Sequence, residues 1–269
     1  MTVRFETPEG RDGVALVTID RPEKANSLDP PTLSALAAAW ERIRDDDAIC
    51  AAVLTGAGDR VFCAGMDMAR TIPASQSLAR GERVSDEDFQ GLRAVRTATL
   101  AGFDMGKPLV CAINGDARAG GFDLMLAAEM RFAVPTATFA LEEVALGLYP
   151  TGNATVLLPK QIGHVHANKL LLTAQPIDAE EARRIGLVND IVARQNLLEH
   201  ALDAAATIAA NAPLAVCATR RGLREIAHLP LAEAYARQEE LGRPLRATED
   251  AREAQRAFVE KRKPIWKKR

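Results

Sequence analysis

Aromatic residues supply only 4% of this 269-residue chain, so its core has to be assembled from Ala, Leu and Val rather than from large rings. The four cysteines, Cys50, Cys63, Cys111 and Cys217, form no C-x-x-C pair. Neither a zinc site nor a disulfide framework is suggested, and reduced thiols are expected. Only five serines occur, none within G-x-S-x-G, which removes the nucleophile elbow of a serine hydrolase. No apolar run approaches the ~20 residues of a membrane span. The opening Met1-Thr2-Val3-Arg4-Phe5-Glu6 has no charged n-region leading into an apolar core, and a soluble, cytoplasmic protein is expected. A formal net charge of -2 gives no basic field for wrapping nucleic acid, although the tail from Glu260 to Arg269 is cationic. A local anionic ligand fits that balance better than a polymer.

What remains is an ordinary globular composition, 48% hydrophobic and 26% charged, long enough for one full-sized domain or a domain with an appendage. Val14 to Ile19 reads as a buried strand, Pro31 to Arg44 as a helix stopped by Asp45-Asp46-Asp47, and Cys50 to Leu54 as a second strand. Strand, helix, strand begins a repeated β/α arrangement with a parallel sheet. Pro108 to Ile113 continues it as a strand, Gly120 to Glu129 as a short apolar helix, and Arg131 to Val134 and Thr138 to Leu141 as two further strands. Ala69 to Gln90 is dominated by Ser, Gln, Arg, Asp and Glu with no apolar period, and is expected to be a mobile surface segment. From Asn196 onward the pattern is helical, over 197–211, 213–228, 231–241 and 248–261, broken at Pro213, Pro230 and Pro244. The expected organisation is therefore a β/α core over 1–195 followed by a helical region over 196–269.

Two loops bring backbone N–H groups to sharp turns, Val61 to Asp67 after the second strand and Asn114 to Gly121 after the third. Glycines there permit close approach, and the second loop enters a helix whose first N–H groups have no internal partner. An oxyanion between the two loops is one use of such a pair, although Gly-rich turns of this kind are also common structural features. Inside the helix start, Asp123 interrupts an apolar run; as a first-turn acid it already complements the helix dipole.

Taken together, several segments resemble the crotonase family, the enoyl-CoA hydratase/isomerase superfamily: Ile19 to Leu28, Phe62-Cys63-Ala64-Gly65-Met66-Asp67, Lys107 to Gly121, Phe139 to Gly147, Ala182 to Val188 and Phe258 to Lys263. The resemblance covers nearly the whole chain. It implies an α/β spiral of ββα units with C-terminal helices that mediate trimers, often paired into hexamers. It also implies acyl-CoA thioester substrates, CoA entering only as part of the substrate and no further cofactor or metal being called for. By position, the oxyanion hole consists of the Met66 and Gly120 N–H groups. Preorganised donors of this kind stabilise an enolate by roughly 3–4 kcal/mol each. Ala64, Met66 and Met68 fall where the family's loop contacts the adenine end of CoA. Lys24 lies in the segment flanking the pantetheine and phosphates, and Lys261 at a basic position that reaches the CoA phosphates across a subunit boundary.

In the family's hydratases two acids face the α and β carbons of the enoyl group, and their positions here are Asp123 and Glu143. Hydration needs such a pair, since one carboxyl protonates the α carbon while the pair holds and deprotonates the water added at the β carbon. Hydratases usually carry Glu at the first position, and Asp is shorter by roughly 1.5 Å of reach. Two readings stay open: hydration with a shifted water, or Glu143 acting alone as in the family's Δ3,Δ2-enoyl-CoA isomerases. Dienoyl-CoA isomerases have Asp then Glu at these positions and add an Asp where Thr151 stands here. The family's Gly-rich stretch after the second acid is Pro150-Thr151-Gly152-Asn153-Ala154 here, and Asn153 and Tyr149 are expected at the acyl end. Glu142 is expected to point away from Glu143 if the segment is extended, and Glu129 to be structural. His164 and His166, two apart on a helix, do not share a face for metal binding. The leading expectation is an enoyl-CoA hydratase, with an isomerase as the alternative and a non-catalytic CoA- or RNA-binding scaffold behind both.

Overall fold

In a computed structural model, which describes residues 2–269, ten strands form two sheets surrounded by eleven α-helices. The larger sheet contains β1 (Val3–Glu6), β2 (Val14–Ile19), β3 (Ala51–Gly56), β5 (Leu109–Ile113), β7 (Met130–Ala133) and β10 (Asp190–Ile191), in that spatial order. The smaller sheet contains β4 (Val61–Cys63), β6 (Asp116–Arg118), β8 (Thr138–Ala140) and β9 (Ile177–Asp178). Each successive strand pair sends one member to each sheet: β3 and β4, β5 and β6, β7 and β8. That alternation produces the spiral of ββα units.

Strands β2, β3 and β5 are buried at every residue and pair in parallel, which is why their sequences are continuous apolar runs rather than alternating ones. Helix α8 (Arg194–Ala209) lies across β2, β3, β5 and β7. It straddles the expected boundary at 195/196, yet Leu197, Ala201, Leu202 and Ala205 belong to the same core as the sheet. The later helices, α9 (Pro213–Ile226), α10 (Leu231–Gly242) and α11 (Glu249–Glu260), bury few residues. Glu129 ties this region to the core as a structural acid: it accepts from the Leu109 N–H at 2.8 Å and from Arg220 Nε of α9 at 2.8 Å. No single helix among the described residues is long and apolar enough to cross a membrane.

The segment 69–90 departs from the expectation of an irregular mobile stretch. It contains α2 (Thr71–Ala79) and the start of α3 (Asp86–Ala98). Ser85 caps α3 by accepting from the Asp88 N–H at 3.1 Å, and Asp86, Glu87 and Asp88 fill the first turn, where negative charge favours the helix end. The helix packs along α1 (Pro30–Asp45) so tightly that a Cβ on Gly91 would overlap Pro30. At its other end the buried Trp40 of α1 donates Nε1 to the Ala98 carbonyl at 2.9 Å. The packed face of this helix, Gly91, Ala94, Val95 and Ala98, lies beyond residue 90, so the polar stretch before it gives no sign of the helix it begins.

Two asparagines clamp the turn between β3 and β4. Asn26, fully buried, donates Nδ2 to the carbonyls of Ala57 at 2.9 Å and Val61 at 2.7 Å, while its Oδ1 accepts from the Arg21 N–H at 3.0 Å. Asn114 accepts from the Gly56 N–H at 3.1 Å and donates to the Gly58 carbonyl at 2.9 Å. Asn26→Ala takes a partner from three part-buried backbone groups, so a loss of about 1–3 kcal/mol is expected, read as a lower midpoint in urea unfolding.

Candidate active site

The site is made where β4 and β6 end beside each other. Past β4 the chain turns at Gly65, in the left-handed region at φ +88°. Leu28 pairs with Met66 as an isolated parallel bridge, its N–H donating to the Gly65 carbonyl at 2.8 Å and its carbonyl accepting from the Asp67 N–H at 3.1 Å. That pairing engages the neighbours of Met66 and leaves the Met66 N–H directed the other way. Beneath it Arg21 bridges Asp67 and Asp29, at 3.3 and 3.1 Å. Burial works against the Asp67 charge, but the Ala69 N–H, Arg21 and Ser27 together hold its carboxyl below its ordinary value.

Past β6, Ala119 takes φ +44° and ψ −120°, an uncommon conformation for a residue with a side chain. It is held by its N–H on the Ala140 carbonyl at 3.0 Å and by its own carbonyl, which accepts from the Asp123 N–H at 2.9 Å. Helix α4 (Gly120–Leu126) then begins, ending three residues before the expected Glu129. The two turns almost touch: a Cβ on Gly65 would stand 2.8 Å from the Gly120 nitrogen. Among the described residues, neither the Met66 nor the Gly120 N–H donates to a protein acceptor. Two neighbouring unpaired donors opening on one cavity form a place for an oxyanion.

That cavity, of about 1240 Å³, is lined by Met66, Gly120, Asp123 and Glu143, and by Ala64 and Met68. Asn153 and Tyr149 also line it. Lys24 and Lys261 do not. Lys24 sits exposed in the turn Pro22–Lys24, beside a separate hollow formed with Gly58 to Val61. Lys261 is the exposed left-handed cap of α11; its expected reach across a subunit boundary concerns the assembly rather than one chain. No three His, Cys, Asp or Glu side chains gather as a metal site among the described residues.

The two acids differ in their surroundings. Asp123 is 4% exposed, and its Oδ1 accepts from the Ala154 N–H at 2.6 Å, the first residue of α5 (Ala154–Ile162). Burial pushes its carboxyl up to about 6, while the Ala154 and Asn153 amides pull the other way. Asn153 Nδ2 ties the same place down further, donating to the Asp123 carbonyl at 2.9 Å and to the Thr99 carbonyl at 3.0 Å. Glu143 opens the single turn Glu143–Leu146, a 3-10 helix rather than the end of a strand. Its Oε2 is the one buried side-chain oxygen without a hydrogen-bond partner among the described residues. Burial pushes its carboxyl up to about 7 against a hydrogen bond from its own N–H, and the charges of Asp123 and Glu142 act in the same direction as burial.

Because the segment is a turn, Glu142 does not simply face the opposite way; it also lines the cavity and accepts from Arg118 Nη1 at 2.6 Å. Arg118 and Arg96 are cavity residues that motif reading passed over. Arg118 stands one residue before the Ala119 turn. The chemistry within reach is stabilisation of a developing oxyanion beside a carboxyl able to give or take a proton near neutral pH.

Comparison with known proteins agrees with this geometry. The family model described as enoyl-CoA hydratase/isomerase matches residues 9–269. The chain is 39% identical over 261 residues to the (E)-benzylidenesuccinyl-CoA hydratase of Thauera aromatica, covering 97% of this chain and 98% of that protein. It is 38% identical over 264 residues to the carnitinyl-CoA dehydratase of Proteus mirabilis, covering 96% and 97%. Among solved structures, the enoyl-CoA hydratase of Bacillus anthracis superposes with a TM-score of 0.89 at 29% identity over 100% of both chains. The enoyl-CoA hydratase of Mycobacterium tuberculosis superposes with a TM-score of 0.85 at 35% identity, over 100% of this chain and 99% of that one. With its two-sheet spiral and paired free amides, the chain belongs to the enoyl-CoA hydratase/isomerase family, within the crotonase superfamily.

Proposed function

We propose that this protein is an enoyl-CoA hydratase, adding water across the 2,3 double bond of a trans-2-enoyl-CoA thioester. The observation that carries the reading is the buried, unpartnered Glu143 Oε2 in the same cavity as the free Met66 and Gly120 amides. The thioester oxygen accepts from both amides, so charge arriving on it as the α,β bond is attacked meets donors already in place. Water bonds to the β carbon and gives up a proton to the carboxylate pair; the α carbon of the enolate receives a proton from Glu143. Asp123, held by the α5 amides, orients the water. The two carboxyls titrate near the pH at which one protonated and one ionised member coexist.

The relatives named as a hydratase and a dehydratase support water addition or removal over rearrangement. The isomerase alternative, with Glu143 alone moving the proton, draws on one observation: the Asp123 carboxyl is already engaged by the Ala154 N–H. Trimers or hexamers are part of the proposal. Exposed Leu223, Leu231, Tyr235, Phe258 and Val259 on the last three helices support an assembly that covers them.

Following the loss of enoyl-thioester absorbance separates the readings. Glu143→Gln is expected to lower kcat by about 10²–10⁴-fold, and Asp123→Asn by on the order of 10²-fold for hydration. A wild type that converts 3-enoyl to 2-enoyl thioesters and hydrates neither would overturn the hydratase reading. Stability gives an independent readout. A carboxyl raised from 4.5 to about 7 keeps its proton in the native state where the unfolded chain has released it. Stability therefore falls as pH rises through that window and levels off above it. Glu143→Gln removes the penalty, so the variant should match wild type near pH 4 and exceed it at pH 8. The gain, on the order of 1–2 kcal/mol after allowance for partial exposure, is read from denaturant unfolding at both pH values.

A further inference from the structure

Five charged residues line the cavity: Asp123, Glu142 and Glu143 against Arg96 and Arg118. Arg118 is committed to Glu142. Arg96 faces no carboxylate; its one hydrogen bond among the described residues runs from Nε to the Ala101 carbonyl at 3.3 Å. Both terminal nitrogens are left with donors and no acceptor. We propose that this guanidinium is an anion subsite, receiving a carboxylate carried by the acyl group of the substrate, so that the preferred substrates are CoA thioesters of dicarboxylic acids. The proposal rests on the acyl-CoA reading above and extends it to substrate class.

Arg96 is solvent-exposed, and its guanidinium lies against bare backbone. Helix α3 ends with Leu100 in the left-handed region at φ +55°, the Ala101 N–H returning to the Arg96 carbonyl at 2.9 Å. This curl brings the Arg96 side chain back over Ala101 and Gly102. A Cβ on Gly102 would lie 2.8 Å from Arg96 Nη2, and Gly102 itself holds φ +80°. The backbone is thus bare where the guanidinium lies, and a side chain there would displace it.

Hydrogen bonds also connect its helix to the acids. The Thr99 carbonyl, three residues on from Arg96, accepts from Asn153, which in turn donates to the Asp123 carbonyl. Hydrogen bonds therefore run from Asp123 through Asn153 to Thr99 at the end of α3, and Arg96, three residues earlier, lines the same cavity. In the proposed pose an acyl group with its thioester oxygen on Met66 and Gly120 reaches towards Arg96. Asp123 and Glu143 repel a second carboxylate from the reacting end, while the planar fork of Arg96 matches one bidentately. Like charge near the acids and opposite charge beyond them impose a single orientation. A helix cap is the competing account of Arg96, since a cation suits the last turn of α3; that role uses Nε and leaves the rest of the fork idle.

Calorimetry with unreactive saturated thioesters distinguishes the two. The probes are the mono-CoA thioester of a straight-chain dicarboxylic acid and the CoA thioester of the monocarboxylic acid of equal length, titrated into wild type, Arg96→Gln and Arg96→Lys. Wild type is expected to bind the carboxylate-bearing probe about tenfold or more tightly, with the preference shrinking as salt is raised. In Arg96→Gln the preference should collapse to within about twofold while the uncharged probe binds as before, and Arg96→Lys should keep part of it. No preference in wild type, or an undiminished preference in Arg96→Gln, overturns the subsite; so does failure of the carboxylate-bearing probe to bind. The first of these needs no variant to fold. Hydration of uncharged enoyl thioesters without discrimination overturns the subsite and leaves the proposed reaction standing, whereas discrimination without hydration supports the subsite and removes the reaction.

Discussion

Everything at this site depends on two backbone turns coming closer together than side chains permit. The end of β4 and the start of α4 approach until a Cβ on Gly121 would overlap the Cys63 carbonyl and one on Gly65 would crowd the Gly120 nitrogen. Only bare backbone allows that approach, and only that approach lets amides from two ββα units converge on one oxygen. The supporting parts serve it from a distance. Leu28 holds the neighbours of Met66, Arg21 braces Asp67 and Asp29, and Asn26 and Asn114 fix the loop between β3 and β4. These groups are polar and largely buried, and each is satisfied, which gives the loop one arrangement rather than several.

The acids obey a different logic. Where the loop residues find partners, Glu143 Oε2 has none among the described residues. An oxygen left in that condition raises the cost of its charge and readies it for a proton from outside. Asp123 lies between the two extremes, buried yet bonded to the start of α5. The Arg118–Glu142 pair removes one negative charge from the same wall, so the charges left on the cavity lining are two acids and Arg96, which has no carboxylate partner among the described residues. Polarity along the cavity therefore comes from which charges are paired rather than from how many are present.

Legibility in the sequence followed the range of the interactions. Val14 to Ile19 and Pro108 to Ile113 announced a parallel sheet because double burial demands unbroken apolar runs, and β2 and β5 lie there. Asp123, Glu143, Met66 and Gly120 were located through family motifs; their periodicity alone carried no such message, since the two acids reach one cavity only through the pairing of β6 with β8. The helices within 69–98 were hidden because their anchors, Gly91 against Pro30 and Trp40 on Ala98, lie dozens of residues away in the chain. Glu143 follows the strand read from Thr138 to Leu141 and stands in a tight turn, for which its sequence carries no sign. Arg96 had no local signature at all, for its significance arises from the curl at Leu100 and the bare backbone of Gly102.

The seat of Asp123 makes it part of the scaffold as well as part of the site. Its carboxylate fills the space under Gly152 so completely that a Cβ on Gly152 would overlap Oδ2, and it holds the first amide of α5. Asn153 carries that fixture onward, from the Asp123 carbonyl to the Thr99 carbonyl at the end of α3. The acid, the turn and the end of α3 are thus one mechanical unit, and a substitution at Asp123 alters the framework together with the chemistry.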